Sequence, residues 1–310
     1  MKKHQITVVG AANVDVGGKS FSPLLEKDSN PGIVTISPGG VGRNIAHNLA
    51  LFGNEVRFIS ALGSDAYAKE LEASCDRLSI DLSASLRSRT EGTSTYLFIA
   101  DTDGDMKLAV SDMRIYDRMT PEFLETRMDL INASELCVVD TNIPEETIAF
   151  LAEHCEVPLY AEPVSMAKAG KLKKVLSHLH AVTPNYLEAG ILADVEADPE
   201  DEGSLRNAAE RILSKGTKSV VITVGARGAL CMDQSGAAFL PPLPGHMENG
   251  TGCGDALMSG IVMGYLEGYD LTDSLRLGMA AATCTLETKK TNNDEMTWNE
   301  VLKRAGKEGI

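Results

Sequence analysis

Residues 249–260, NGTGCGDALMSG, place an acidic residue directly after a glycine-rich turn and at the start of an apolar run that predicts a helix. The free N–H groups and the positive dipole end of a helix start favour an anion. Glycines also let the backbone approach a ligand without a Cβ in the way. Asp255 would lie beside that anion, where it could accept a proton from an attacking hydroxyl group. Taken alone, the pattern favours a structural cap of the helix over a catalytic base.

A second glycine-rich segment, PGGVGRN at residues 38–44, also precedes a predicted helix. It resembles half of a dinucleotide-binding fingerprint, but the third glycine is missing and the next strand ends without an acidic residue for a ribose. A redox cofactor is therefore disfavoured. A close approach of the backbone at Gly39 and Gly40 to a neutral polyol fits better, with Asn44 as hydrogen-bond donor and acceptor. Tight packing of the helix against a strand is the alternative explanation.

Two polar pairs complete the set of candidate functional residues. Asn13 and Asp15 lie two positions apart at the end of a strand predicted over residues 6–16, so their side chains share a face where open α/β sheets bind ligands. Asn185 and Glu188 lie one helical turn apart, and an amide with a carboxylate suits Mg²⁺ held through water. Both pairs also have structural explanations, a capped strand end for the first and an N-cap with a first-turn acid for the second.

An α/β framework is needed to bring these residues together. Short apolar runs typical of strands alternate with amphipathic runs typical of helices, which predicts a mostly parallel sheet covered on both faces. Residues 14–37 and 93–115 interrupt the alternation, and the second segment predicts a β-hairpin around Asp103 and Gly104. The two segments could pair into a small sheet that acts as a lid, or the hairpin could have no functional role. The predicted domains are a core of residues 1–13, 38–92 and 116–310 and a lid of residues 14–37 and 93–115.

The composition limits the partners of this 310-residue chain. Its formal net charge is −15, whereas nucleic acids and anionic membranes require clustered Lys and Arg, so neither is an expected partner. The N-terminal residues resemble a strand rather than a signal peptide, and no run of about 20 apolar residues could span a membrane. The six cysteines include no C-x-x-C pair. These features predict a cytoplasmic protein.

Four motifs together resemble the ribokinase-like (PfkB) sugar and nucleoside kinases in order and spacing. PGGVGRN and NGTGCGD resemble the two signature regions of that family, NYLE resembles its N-x-x-E metal motif, and TVGARG at residues 223–228 resembles its nucleotide-binding turn. The resemblance extends over essentially the whole chain. It implies a three-layer α/β/α core with a small β-sheet lid, and the ATP-dependent phosphorylation of a primary hydroxyl group with Mg²⁺.

The resemblance also implies roles for single residues. Asp255 would be the general base, the N–H groups of Gly252, Cys253 and Gly254 would hold the transferring phosphoryl group, and Asn185 and Glu188 would organise Mg²⁺. The residues expected to bind the nucleotide are Asn185, Thr223, Gly225, Gly228, Thr251, Gly252 and Asn292. The residues expected to bind the phosphate acceptor are Asn13, Asp15, Asn30, Gly39, Gly40, Asn44, Ser111, Asp112 and Lys168.

Within the family, several segments are most similar to the bacterial pseudouridine kinases, which implies pseudouridine as the acceptor and its 5′-hydroxyl as the reacting group. These segments are DSNPG at 28–32, SDM in the hairpin, EPVSMAK at 162–168 and TNN at 291–293. Another nucleoside, a sugar or a sugar phosphate is the alternative acceptor, and a sugar phosphate would need Arg43, Lys107 or Arg114 nearby. A non-catalytic nucleotide sensor is disfavoured because it would not need Asp255.

The sequence departs from the family pattern at three positions. Cys253 stands where Ala is frequent, and Glu162 stands where Asp is usual. Asn249 stands where many members have an Asp that helps to bind a monovalent cation, which leaves a requirement for that cation open. An apolar face on the predicted lid would favour burial against a second copy, so we expect a homodimer formed through the lid.

Overall fold

Strands and helices alternate along the chain in the computed structural model, which describes residues 2–307. The strands are β1 (Gln5–Val9), β2 (Asn13–Ser20), β3 (Gly32–Gly39), β4 (Glu55–Ile59), β5 (Ala61–Leu62), β6 (Leu86–Arg87), β7 (Thr95–Ala100), β8 (Met106–Asp112), β9 (Leu136–Asp140), β10 (Leu159–Glu162), β11 (Ala181–Val182), β12 (Ser219–Thr223), β13 (Ala229–Asp233) and β14 (Gly236–Leu240). The α-helices are α1 (Val41–Leu51), α2 (Ala66–Asp76), α3 (Pro121–Glu125), α4 (Met128–Asn132), α5 (Glu145–His154), α6 (Met166–Ala169), α7 (Tyr186–Ala193), α8 (Glu202–Ser214), α9 (Cys253–Leu266), α10 (Leu271–Leu286) and α11 (Trp298–Arg304).

The large sheet has the strand order β14-β13-β12-β11-β10-β9-β1-β4. Pairing is parallel from β12 to β4 and antiparallel where β13 and β14 extend the sheet. Successive residues of the central strands point to opposite faces, so Val8 joins one apolar core and Val9 the other. Helices cover both cores, and this confirms the predicted three-layer α/β/α architecture.

A second sheet has the strand order β3-β2-β7-β8, with β2 and β7 parallel and the other pairs antiparallel. The predicted small sheet is therefore present, and Asp103 and Gly104 lie in the turn between β7 and β8 as expected. The strand β2 begins at Asn13 and β3 ends at Gly39, so both run slightly beyond the segment 14–37. Whether this sheet acts as a lid remains a prediction.

The first predicted strand, residues 6–16, is wrong as a single strand because it divides between the two sheets. The N–H of Gly10 still donates to the Ile59 carbonyl at 3.1 Å, and the chain leaves the large sheet after it because side chains from distant elements bind the backbone of Ala11 and Ala12. The N–H of Ala11 donates to Asp140 at 2.8 Å, and the N–H of Ala12 lies 2.6 Å from the Tyr116 hydroxyl.

Within the described part of the chain, no helix is both long and apolar enough to cross a lipid bilayer.

Candidate active site

The start of α9 carries the glycine-rich turn and leaves backbone donors free. Gly252 is the N-cap residue with φ of 85°, and a Cβ there would overlap the carbonyl oxygen of Thr291. The N–H of Cys253 donates to Gly250 at 3.5 Å, whereas the N–H groups of Gly252, Gly254 and Asp255 meet no acceptor within residues 2–307. The open donors are therefore those of Gly252, Gly254 and Asp255, and they form the anion site that a helix start favours.

Asp255 lies beside these donors and is only 8% exposed. Its Oδ2 accepts a hydrogen bond from Nδ2 of Asn44 at 2.7 Å, and no side chain caps the start of α9. The structural-cap explanation of this residue is thus not what the structure shows. The pKa of Asp255 is raised to about 7, chiefly by burial and also by the charge of Asp140, although the hydrogen bond from Asn44 and the charge of Arg43 act in the opposite direction. A carboxyl group with this pKa can accept a proton near neutral pH.

Asp140, a residue that sequence reasoning missed, ties three elements together at the end of β9. Its Oδ2 accepts from the N–H groups of Ala11 and Gly42, each at 2.8 Å, and its Oδ1 accepts from the N–H of Asn142 at 2.8 Å. The carboxylate is 1% exposed, and its burial raises its pKa against these hydrogen bonds. An Asp that ends a fully apolar strand was the only signal in the sequence.

Asn13 and Asp15 lie side by side, as their spacing predicts. Asn13 Nδ2 donates to Asp15 Oδ1 at 2.5 Å, and burial raises the pKa of Asp15 to about 6. Gly39 lies opposite Asn13 in the strand pairing, and a Cβ at Gly39 would overlap the carboxylate of Asp15. Gly40 follows as the N-cap residue of α1. The close approach at Gly39 is therefore an approach to the Asp15 side chain, whereas Gly40 packs against the backbone of Ala11 and Ala12, as the alternative explanation of tight packing predicts.

The register of the small sheet defines its two faces. Tyr96 pairs with Asp15 and with Ser111, and Phe98 pairs with Gly17, so their side chains share what we call the Asp15 face. The rings of Tyr96 and Phe98 are 5.9 Å apart. The opposite surface, which we call the Val34 face, carries the apolar side chains of Val16, Val34, Ile36, Leu97, Ile99, Leu108 and Val110.

Of the predicted acceptor residues Ser111, Asp112 and Asn30, which are the candidates to contact the base, only one lies on the Asp15 face. Ser111 does, whereas Asp112 pairs with Thr95 on the opposite face and binds Arg114 through two hydrogen bonds of 2.9 and 2.7 Å. Asn30 closes its own loop through bonds of 2.8 and 3.0 Å to the backbone of Leu25. The structure therefore places Asp112 on the face opposite Asp15, and it engages the side chain of Asn30 within its own loop.

Lys168 lies close to the end of β9. Its Nζ donates to Asn142 Oδ1 at 2.5 Å and lies 3.5 Å from Met113 Sδ, just after the small sheet. Burial lowers the pKa of Lys168, and the nearby charge of Asp140 opposes that effect. This half-buried cation is thus placed between the large sheet and the small one.

Asn185 and Glu188 form a capping box at the start of α7. Asn185 Oδ1 accepts from the N–H of Glu188 at 3.0 Å, and Glu188 Oε2 accepts from the N–H of Asn185 at 2.9 Å. The structural explanation of this pair is therefore realised. Glu188 is 4% exposed, burial raises its pKa, and its Oε1 has no hydrogen-bond partner within residues 2–307. The free Oε1 of Glu188, and Oδ1 of Asn185, which can accept one further hydrogen bond, are therefore compatible with a second, water-mediated role.

The charges around Glu188 suit a divalent cation held through water. Glu162, at the end of β10, accepts from Thr183 at 2.6 Å, and burial together with the charges of Asp255 and Glu188 raises its pKa. A carboxylate whose pKa is raised by neighbouring carboxylates is stabilised in its charged form when a cation lies near it. The free Oε1 of Glu188 and the amide oxygen of Asn185 are donors of the kind that can hold Mg²⁺ through water.

The other residues expected at the nucleotide lie next to this site. Thr223 forms a parallel bridge with Asn185, and the turn that follows holds Gly225 and Gly228 with φ of 57° and 113°. The N–H of Thr251 donates to Asn249 Oδ1 at 3.0 Å. Asn292 differs, because its amide is buried and turned towards α1.

The three cations considered for a sugar phosphate have other partners. Arg114 binds Asp112, and Lys107 binds Asp101 and Asp105 at the tip of the hairpin. Arg43 is 3% exposed and donates into the protein interior. The site therefore offers a sugar phosphate little beyond Lys168.

The geometry agrees with comparisons to known proteins. The family described as "pfkB family carbohydrate kinase" matches residues 3–298. This chain belongs to that family. It is therefore a carbohydrate-kinase-type phosphotransferase with a hydroxyl group as acceptor, and the family resemblance of the motifs is confirmed.

Three relatives illustrate the range within the family. The pseudouridine kinase of Escherichia coli (strain K12) is 33% identical over 303 residues, which cover 97% of this chain and 96% of that protein. A protein of the same organism, named as an uncharacterized sugar kinase, is 32% identical over 300 residues, with coverage of 95% and 82%. The structure of Arabidopsis thaliana ribokinase, complexed with ribose and ATP, superposes with a TM-score of 0.88 at 20% identity, with coverage of 98% and 99%, which confirms the fold.

Proposed function

We propose that this protein phosphorylates the 5′-hydroxyl group of pseudouridine with ATP and Mg²⁺, giving pseudouridine 5′-phosphate and ADP. The observation that carries the proposal is the buried carboxylate of Asp255, which lies beside the free N–H groups at the start of α9. A proton acceptor and an anion site at one helix start are what phosphoryl transfer to a hydroxyl group requires.

The roles of the residues follow from their free atoms. Asp255 Oδ2 is bound to Asn44, and its Oδ1 has no partner within residues 2–307, so Oδ1 accepts the hydroxyl proton. The acceptor oxygen then bonds to the γ-phosphorus, the bond to the bridging oxygen breaks, and ADP leaves. The N–H groups of Gly252, Gly254 and Asp255 stabilise the charge on the transferring group. Mg²⁺, when bound near Asn185 and Glu188, would supply further charge neutralisation at the phosphates.

The Asp15 face supports a nucleoside rather than a free sugar. Asn13 and Asp15 supply the polar groups that ribose hydroxyls need, whereas the amide of Asn44 is engaged by Arg43 and Asp255, and a free sugar would need no more. Tyr96 and Phe98 extend the same face with two aromatic rings, on which a nucleobase can stack. The 33% identity to a pseudouridine kinase adds support for the particular base. A free sugar is the second candidate, favoured by the 32% identical sugar kinase.

We also propose that the protein is a homodimer formed through the Val34 face. Val34, Ile36, Leu108 and Val110 are 70%, 56%, 61% and 59% exposed, and the register places the two pairs on the edge strands of this face, with Val16, Leu97 and Ile99 between them. A monomer rarely exposes such a continuous apolar surface. A second copy that presents the same face would cover it with matching chemistry.

A substrate panel tests the proposed function. Pseudouridine carries a free ring N1–H that uridine lacks, so a site built to accept that N–H can reject uridine by about 10⁴-fold. We expect kcat/KM with ATP and Mg²⁺ to be highest for pseudouridine among pseudouridine, uridine, cytidine, adenosine and ribose. If uridine or ribose equals pseudouridine, the kinase assignment stands and the substrate is wrong.

A further inference from the structure

Arg43 is a buried cation that has no acidic partner in contact. Its side chain is 3% exposed, and no carboxylate of residues 2–307 lies within ion-pair distance of it. Instead, its guanidinium donates to Ser74 Oγ at 3.0 Å, to the Pro38 carbonyl at 3.1 Å and to two Asn side chains. Burying a charge among neutral groups costs free energy, so a purely structural position would be better filled by an apolar residue.

The contact with Asn44 determines which way the amide of that residue points. Arg43 Nη2 donates to Asn44 Oδ1 at 3.0 Å, and a guanidinium has only donors, so the amide oxygen must face it. The amide nitrogen of Asn44 then faces Asp255 Oδ2 at 2.7 Å. If the amide were reversed, two acceptor oxygens would meet, and Asp255 could be accommodated only by turning away or by holding a proton.

A fourth contact links Arg43 to the segment beside the glycine-rich turn of α9. Its Nη2 donates to Asn292 Oδ1 at 2.6 Å, and Asn292 Nδ2 approaches Asn48 Oδ1 at 3.4 Å. The preceding residue, Thr291, provides the carbonyl that packs against Gly252. Arg43 therefore contacts both the acceptor side of the site and the segment that supports the glycine-rich turn.

We propose that Arg43 is a positioning residue for phosphoryl transfer, which fixes the amide of Asn44 so that its NH₂ group holds Asp255 in place to accept the hydroxyl proton. The proposal rests on the function proposed above, in which Asp255 is the base. Arg43 acts through Asn44 and touches neither substrate. Its loss should therefore affect the chemical step more than the binding of either substrate.

The test is a double-mutant cycle between Arg43 and Asn44, with ATP turnover measured on the best acceptor of the substrate panel. Arg43→Met keeps the apolar stem and removes the donors. We expect it to lower kcat by about 10- to 100-fold with KM values within about 3-fold of wild type. In the Asn44→Ala background the same change should lower kcat by less than about 3-fold, because the group that it positions is gone.

Controls separate this proposal from general damage. Ser74→Ala removes one Arg43 contact that does not involve Asn44, and it should leave kcat unchanged. Arg43→Lys, which keeps one donor, should give an intermediate kcat, and it replaces Arg43→Met in the cycle if that variant does not fold. Equal losses of kcat in both Asn44 backgrounds would refute the positioning role. Asp255→Asn, measured in parallel, identifies the separate case in which the proposed base itself is wrong, because turnover would then persist.

Discussion

The substitution Asp255→Asn probes the ionisation of the buried base through the stability of the fold. Burial raises the pKa of Asp255 from an ordinary 3.8 to about 7. Between these values the unfolded chain has lost the proton and the folded chain has kept it, so the free energy of unfolding falls as the pH rises. Above pH 7, the raised pKa lowers the free energy of unfolding by about 4 kcal/mol relative to its value at low pH. About 2 kcal/mol of this loss occurs between pH 5.5 and 8.5.

The variant carries no ionisable group at this position, and its amide oxygen can still accept from Asn44. We therefore expect its free energy of unfolding, relative to wild type, to rise by about 2 kcal/mol from pH 5.5 to 8.5. Urea titrations can follow Trp298, the only tryptophan, which is 4% exposed and lies 5.2 Å from the ring of Phe52. The protein concentration must stay fixed because a dimer would make stability depend on it.

Asp112→Asn is the matched control. Arg114 lowers the pKa of Asp112, so that carboxyl is ionised in the folded and the unfolded chain throughout this pH range and its removal should add no slope. Parallel pH curves for wild type and Asp255→Asn would refute the reasoning. Turnover of Asp255→Asn should fall by about 10²- to 10⁴-fold with ATP binding retained, and near-normal turnover would remove the residue from the mechanism.

Two further predictions concern the metal and the oligomer. Glu188→Gln keeps the capping box, because Gln also accepts from the N-cap N–H, but it removes the carboxylate charge. The variant should need a higher Mg²⁺ concentration for half-maximal turnover, with little change in acceptor KM. An unchanged Mg²⁺ titration would contradict the metal role. Val34→Glu combined with Leu108→Glu should convert the dimer to a monomer, as measured by light scattering at micromolar protein. The control Leu130→Glu, at an exposed leucine of α4, should leave the dimer intact. A monomeric wild-type protein would refute the dimer.

The local sequence pattern predicted the architecture well because the alternation of strands and helices depends on residues that are close together in the sequence. It also predicted the pairing of the two irregular segments, since the turn at Asp103 and Gly104 is a local signal. It failed at Gly10 to Ala12, where the chain changes sheets. The side chains that bind this backbone come from Asp140 and Tyr116, more than 100 positions away, and no local period reveals them.

The candidate site was only partly predictable for the same reason. Asp255 and Asn44 were singled out one by one, but the hydrogen bond that joins them spans 211 positions. Arg43 was considered only for its charge, although its contacts make it a neighbour of both. Asp112 was expected at the acceptor together with Ser111 because the SDM segment resembles that of pseudouridine kinases, yet adjacent strand residues point to opposite faces.

The two faces of the small sheet also limit how this chain can diverge during evolution. On β2, Asp15 serves the Asp15 face while Val14 and Val16 serve the opposite one, so an inserted or deleted residue would exchange both sets at once. The loop of residues 21–31 carries no such constraint and is free to change in length. Descendants with new acceptors should therefore differ by point substitutions at Tyr96, Phe98 and Ser111, with strand lengths preserved.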